Sequence, residues 1–244
     1  MQDVFDTFTG QFCIQCLKNG VITDVYEDHN YIMTSARRSV AELFVGASSR
    51  RLSKLVLGTA GGLGDVYTPI TEATGFSRDR TQLFSAGVIN ARLNETKTLS
   101  AGDLVRISNT SITYQYKGAK QSVELTQTNL NTLFNVYDAP LYTYEVAVNP
   151  YSQVVLTGTE NFATDTSNSA FVSYDNDKTI TYTFEIPTSA ANEQYTRDGD
   201  QQSIYSMINE AGLYVNNRLF AMKCFPAKLK DDSTSLKIIW KILF

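Results

Sequence analysis

The chain has 244 residues, 43% hydrophobic and 19% charged, with a formal net charge of −4 and a pI near 5.1. Such a composition excludes a disordered tail and leaves room for one large domain or two small ones. The acidic balance argues against a general nucleic-acid binder, because the only basic clusters are the short pairs Arg37-Arg38 and Arg50-Arg51.

No apolar run approaches the ~18 residues that span a bilayer, and MQDVFDTFTG lacks a signal layout, so the chain is expected to stay where it is made. The 14 Tyr and 13 Phe, with abundant Thr, Ser and Val, favour half-buried sheets over helical bundles.

Residues 11–27 read as a hairpin. Phe12, Ile14 and Cys16 alternate, Asn19-Gly20 supplies the turn, and Val21, Thr23 and Val25 alternate again. On such a strand Cys13 and Cys16 point to opposite faces, so this CxxC reads as free thiols rather than a redox or zinc pair.

A helix is expected from Ser35 to Val45, capped by Thr34 or Ser35, ended by Gly46, and striped by Ala36, Val40, Leu43 and Phe44. Arg37 and Arg38 fall in its first turn, where the helix dipole disfavours cations by ~0.3–1 kcal/mol each. A partner's carboxylates would offset that cost, and simple solvation would also meet it.

Residues 52–57 form a short strand running into GTAGGLGD. This is not a phosphate loop, since Gly64 precedes Asp65-Val66 instead of Lys-Ser/Thr. Nor is it a dinucleotide loop, since the following YTPITEATG contains Pro69. A surface turn is the expectation.

Between 85 and 168 short strands are expected at 104–107, 112–116, about 123–125, 141–148 and 153–157, with a brief helix from Asn129 to Tyr137. In 179–186, Ile180, Tyr182, Phe184 and Ile186 share a face. In the closing LKIIWKILF, Leu236, Ile238, Trp240, Ile242 and Phe244 do the same. The latter strand is apolar on both faces and should be central in a sheet or covered by a partner.

These elements read as a mainly β chain: an antiparallel β-sandwich with one short N-terminal helix and a β-rich insertion. Residues 1–84 and 169–244 would form the core, and 85–168 the insertion or second subdomain.

No catalytic, cofactor or metal set is expected. The single histidine, His29, sits in an acidic turn-like stretch, and Asp175-Asn176-Asp177 lacks the glycine and glutamate of a calcium loop. Tyr114/Tyr116 and Tyr142/Tyr144 alternate on strands and suit either sugar-facing rings, as in a carbohydrate-binding host-recognition module, or cross-strand packing.

Three segments resemble a recurrent pattern in structural proteins of tailed bacteriophages, from tail, collar and fibre-attachment regions. They are HNYIMTSARRSVAELFVG (29–46), LSKLVLGTAGGLGDVYTPITEAT (52–74) and INEAGLYVNNRLFAMKCFPAKLKDDSTSLKIIWKILF (208–244). The third is similar to a closing pattern through Ile208, Glu210, Ala211, Gly212, Leu213, Leu219, Phe220, Ala221, Phe225, Pro226, Lys228, Leu236, Ile238, Trp240, Ile242 and Phe244, with Lys223 near the family's usual arginine.

The resemblance implies a virion protein assembled in the bacterial cytoplasm. Its partners would be other virion proteins in a symmetric homo-oligomer, with no direct nucleic-acid or membrane contact. Partner-binding candidates are Arg37, Arg38, Glu210, Gly212, Lys223 and Lys228. In the closing segment Gly212 is expected to allow a sharp bend, and Glu210 to accept main-chain hydrogen bonds or touch a partner. Leu219–Phe225 is expected to pair with Leu236–Phe244 around a solvated loop, Pro226 to Ser235.

Overall fold

The structure, a computed structural model, describes residues 9–45, 52–147, 161–163, 170–175, 179–192, 195–196 and 204–243. The first elements are β1 (Thr9–Lys18), β2 (Val21–His29), β3 (Tyr31–Ile32), α1 (Thr34–Phe44) and β4 (Leu52–Gly58). Short elements follow: β5 (Ile89–Ala91), β6 (Thr96–Leu99), β7 (Leu104–Ile107), β8 (Thr113–Tyr116), β9 (Gln121–Glu124), α2 (Gln127–Leu133) and β10 (Phe134–Tyr137). Then come β11 (Thr143–Ala147), β12 (Asn161–Ala163), β13 (Ala170–Asp175), β14 (Thr179–Ile186) and β15 (Tyr195–Thr196). The chain closes with three long strands, β16 (Ile204–Val215), β17 (Arg218–Lys230) and β18 (Thr234–Leu243).

Two six-stranded sheets dominate. One runs β12-β13-β14-β18-β1-β2, and the other runs β11-β4-β16-β17-β3 with β15 also on β16. The Asn19-Gly20 turn forms as the sequence suggests, with φ of 52° and 76° joining β1 to β2.

The alternating apolar faces explain the layering. Phe12, Ile14, Phe184, Ile186, Leu236, Ile238 and Trp240 from the first sheet share one core with Leu55, Leu57, Ala211, Leu213, Ala221 and Phe225 from the second. Phe12 stacks on Phe225 at 5.1 Å and meets Trp240 edge-on at 5.0 Å, locking the two layers together. β18 lies between β1 and β14, which accounts for a strand so apolar.

The second sheet is buried on its other face as well. There Val56, Tyr214, Met222 and Cys224 pack with Ile70, Leu83, Phe84 and Leu104. A third core, including Ala91, Leu99, Val105, Tyr116, Val123, Leu130 and Phe134, lies beyond it. The fold is therefore mainly β with a short early helix, but not a single closed sandwich: the central sheet has neighbours on both sides.

Several expectations are corrected. β17 does not pair with β18; it pairs with β16 and β3 and faces β18 across the core. It also runs on through Lys230, so Lys228, Lys230 and Asp231 are buried rather than in a solvated loop. The Asn129–Tyr137 segment splits into the end of α2 and strand β10. His29 ends a strand instead of sitting in a turn.

The unit with its own core is narrower than 85–168, because β11 pairs with β4 and β12 with β13 in the two large sheets. Arg50-Arg51, Gly46, the 153–157 strand and Asn176-Asp177 lie outside the described residues.

Candidate functional site

The second sheet carries the charged side chains that fix the architecture. Glu210, on β16, is fully buried. Its Oε1 accepts hydrogen bonds from the N–H of Ser85 at 2.8 Å and of Ala60 at 3.3 Å, and from the Ser85 hydroxyl. Its Oε2 accepts the Phe84 N–H at 2.8 Å. One carboxylate therefore ties the loop after β4 and the turn at 84–85 to the central strand.

Every one of these contacts is a donor, the set a carboxylate needs when water is excluded. Burial pushes the Glu210 carboxyl above its usual range, and the Ser85 and Phe84 hydrogen bonds pull in the opposite direction.

The neighbouring residue completes the tie. Asn209 Oδ1 accepts the Gly61 N–H at 2.7 Å, and its Nδ2 donates to Val66 O at 3.3 Å. The glycine-rich stretch is thus only partly a surface turn: residues 58–62 are buried against β16, and the chain emerges from Leu63 onward. At Gly58 a Cβ would lie 2.4 Å from Glu210 Oε1, so the glycine makes room for the carboxylate. Gly212 likewise permits a close approach rather than a bend, because β16 continues through it and a Cβ there would meet Leu219 Cδ1 at 2.6 Å.

A second arrangement lies on β17. Lys223 and Lys228 are 2% and 7% exposed, and each sends its ammonium outward to an aspartate on β2. Lys223 Nζ donates to Asp28 Oδ2 at 2.6 Å, and Lys228 Nζ to Asp24 Oδ2 at 2.7 Å. Both lie 5.8 Å from the Tyr26 ring centroid between them, and Tyr26 itself packs against Phe225.

Burial tends to raise the Asp28 carboxyl, but the Lys223 ammonium, the His29 N–H and the Tyr26 hydroxyl outweigh it and hold it below its usual range. Farther along, Lys230 Nζ reaches Thr188 O at 3.2 Å, Asn192 Oδ1 at 2.5 Å and Asp231 O at 2.9 Å, and burial pushes its pKa down to about 8.

Glu210, Gly212, Lys223 and Lys228 thus serve internal packing and pairing. Arg38 stands on α1, 73% exposed and 3.1 Å from Glu42, while Glu42 also receives both of its oxygens' bonds from Arg218 at 2.9 and 3.0 Å. Arg37 occupies the neighbouring position on the helix. The six residues do not converge on one surface.

The proposed caps of α1 are used elsewhere, Thr34 on Asp79 and Ser35 on Leu219 O. Tyr116 is fully buried with its hydroxyl bonded to Ala119 O and Gln121, and Tyr114 packs edge-on to Phe134, so these rings pack across strands. All three cysteines are free, and burial pushes the Cys13 and Cys16 thiols up to about 11.

Among the described residues no group of His, Cys, Asp or Glu is arranged to hold a metal. No family model, curated protein or solved structure matches this chain.

Sequence reasoning did not find Asp24, Asp28 and Lys230. The signal available was weak: alternating charge on β2 and β17, with nothing local to say that the two strands face each other.

Proposed function

We propose that the chain is a structural protein of a tailed-phage virion, in the tail, neck or fibre-attachment region, acting through protein–protein contacts. The observation that carries this reading is the convergence of the three segments on which the resemblance rests. Residues 29–46 and 52–74 follow one another closely, and 208–244 comes more than 130 positions later in the chain. β4, β16, β17 and β3 nevertheless lie side by side in one sheet, with α1 against β17.

The bonds between them involve the matching positions. Glu210 holds Ala60, Ser35 of α1 donates to Leu219 O, and Ala221 pairs with Ile32. A pattern whose members build one frame is what a family of scaffolds requires, because binding surfaces can vary while the frame stays constant.

On this reading the protein works by being held among neighbours, in several symmetric copies. The test is negative-stain microscopy of phage particles labelled with antibody to this chain. Label at the tail or neck is the expected result, and particles without label overturn the proposal.

A further inference from the structure

Within the assembly role proposed above, we infer that β2 is a docking edge for an extended, basic segment of another protein, which adds to the first sheet as a further strand. β2 is the terminal strand of that sheet, and eight of its nine residues are exposed, Tyr26 being the exception. Val21, Ile22 and Val25, at 66%, 49% and 47% exposure, offer aliphatic surface to a neighbour.

The hydrogen-bond phase shows which main-chain groups are open. Asn30 N–H donates to Gly10 O at 3.0 Å, and the register is unbroken from Gln11↔His29 to Cys16↔Asp24. Antiparallel pairs alternate, so Asp28 and Tyr26 bond to β1, while Val25, Glu27 and His29 turn their N–H and C=O groups to the open side. The His29 N–H bears this out by donating to Asp28 Oδ1 at 2.7 Å instead of to β1. The groups left facing outward are those of Val25 and Glu27, the ladder positions a new strand would use.

Two features make this edge a template. The Lys223–Asp28 and Lys228–Asp24 bonds staple the strand to β17, so an incoming segment meets a strand already ordered. The charge is one-sided: VITDVYEDH carries Asp24, Glu27 and Asp28 and no Lys or Arg. Asp24 and Asp28 are already paired with Lys228 and Lys223, so pairing with a second copy would bring the two Glu27 carboxylates to one seam, whereas lysines on another protein's strand would meet Glu27 favourably.

The probe is a blocked nine-residue peptide of alternating Thr and Val carrying two lysines, compared with a twin carrying glutamates. Amide hydrogen exchange by NMR should show new protection at Val25 and Glu27 with the lysine peptide and no change at Tyr26 and Asp28. The lysine peptide should bind about fivefold tighter than its twin, given typical cross-strand charge pairs. Glu27→Lys should reverse that order.

Val25→Pro should abolish binding, since the N–H it removes faces outward and contributes nothing to the β1 ladder. If Val25→Pro disturbs the fold, the Glu27→Lys reversal decides alone. Absence of protection at Val25 and Glu27, or equal binding of both peptides, overturns the inference. Concentration-dependent self-association that protects the same amides without peptide overturns it too, in favour of a second copy. Peptide failure with labelled virions would leave the assembly role standing, whereas unlabelled virions would remove that role whatever the peptides do.

Discussion

The two faces of the central sheet meet the same problem, a charge removed from water, in different ways. On one face Glu210 is neutralised by main-chain dipoles from Ala60, Phe84 and Ser85. On the other, Lys223 and Lys228 extend to carboxylates at the protein's rim, where Asp28 and Asp24 keep 46% and 52% of their side chains exposed. The first solution is dry and insensitive to salt, and it fixes three segments at once. The second is wet at one end, so it responds to ionic strength and pH and fixes only the edge strand.

The largest effect expected from this difference belongs to Glu210. Glu210→Ala should cost about 3–5 kcal/mol in urea unfolding, because it orphans several buried donors together. Glu210→Gln should recover only part of that loss, since its NH2 group would oppose N–H donors on one side. Raising the salt to 1 M should leave both differences unchanged. An exposed, weakly held carboxylate would instead give a loss near zero.

On the other face the order of single variants is informative. Asp28→Asn leaves the Lys223 ammonium buried without its counter-ion, and should cost about 1–2 kcal/mol, discounted because water reaches the carboxylate. Lys223→Met removes the buried charge itself and fills its volume, so it should cost less than Asp28→Asn. Chemical unfolding of both, and of the double variant, measures the coupling directly. In contrast to Glu210, the coupling should shrink in high salt.

Acid separates the faces further. The folded Asp28 carboxyl lies below its ordinary 3.8, so the unfolded chain binds more protons across that window, and the stabilisation is lost as pH falls through it. Burial displaces Glu210 the other way, so its contribution is not lost on acidification. Thermal unfolding from pH 6 to pH 3 should therefore bring the parent down toward Asp28→Asn, with the gap between them closing.

Much of the frame was legible because it is written locally. Asn19-Gly20 announces its turn, the alternation in 179–186 and 236–242 announces buried faces, and Glu210 beside small residues suggests a structural acceptor. Partnerships between distant strands were not legible. β17 and β18 are neighbours in sequence, yet the lysines near the end of β17 look like loop residues only until Asp24 and Thr188 are found waiting for them. Likewise, the 58–62 glycines read as a turn because Asn209 and Glu210, which they accommodate, lie some 150 positions away in the chain.

The smallest stability effect is expected at Arg38, and its smallness makes it useful. Its guanidinium is 73% exposed, and its partner Glu42 keeps two bonds from Arg218 when Arg38 is truncated. Arg38→Ala should change the unfolding free energy by less than about 0.5 kcal/mol, as exposed i,i+4 pairs do. Arg218→Ala should cost more, since it breaks the ion pair that ties α1's Glu42 to β17. A loss of incorporation into particles on Arg38→Ala could then not be blamed on the fold. It would mean that the arginine meets a neighbour's carboxylate. Normal incorporation would leave Arg38 a solvated residue and move the contact surface away from α1, toward the stapled edge where the open N–H groups lie.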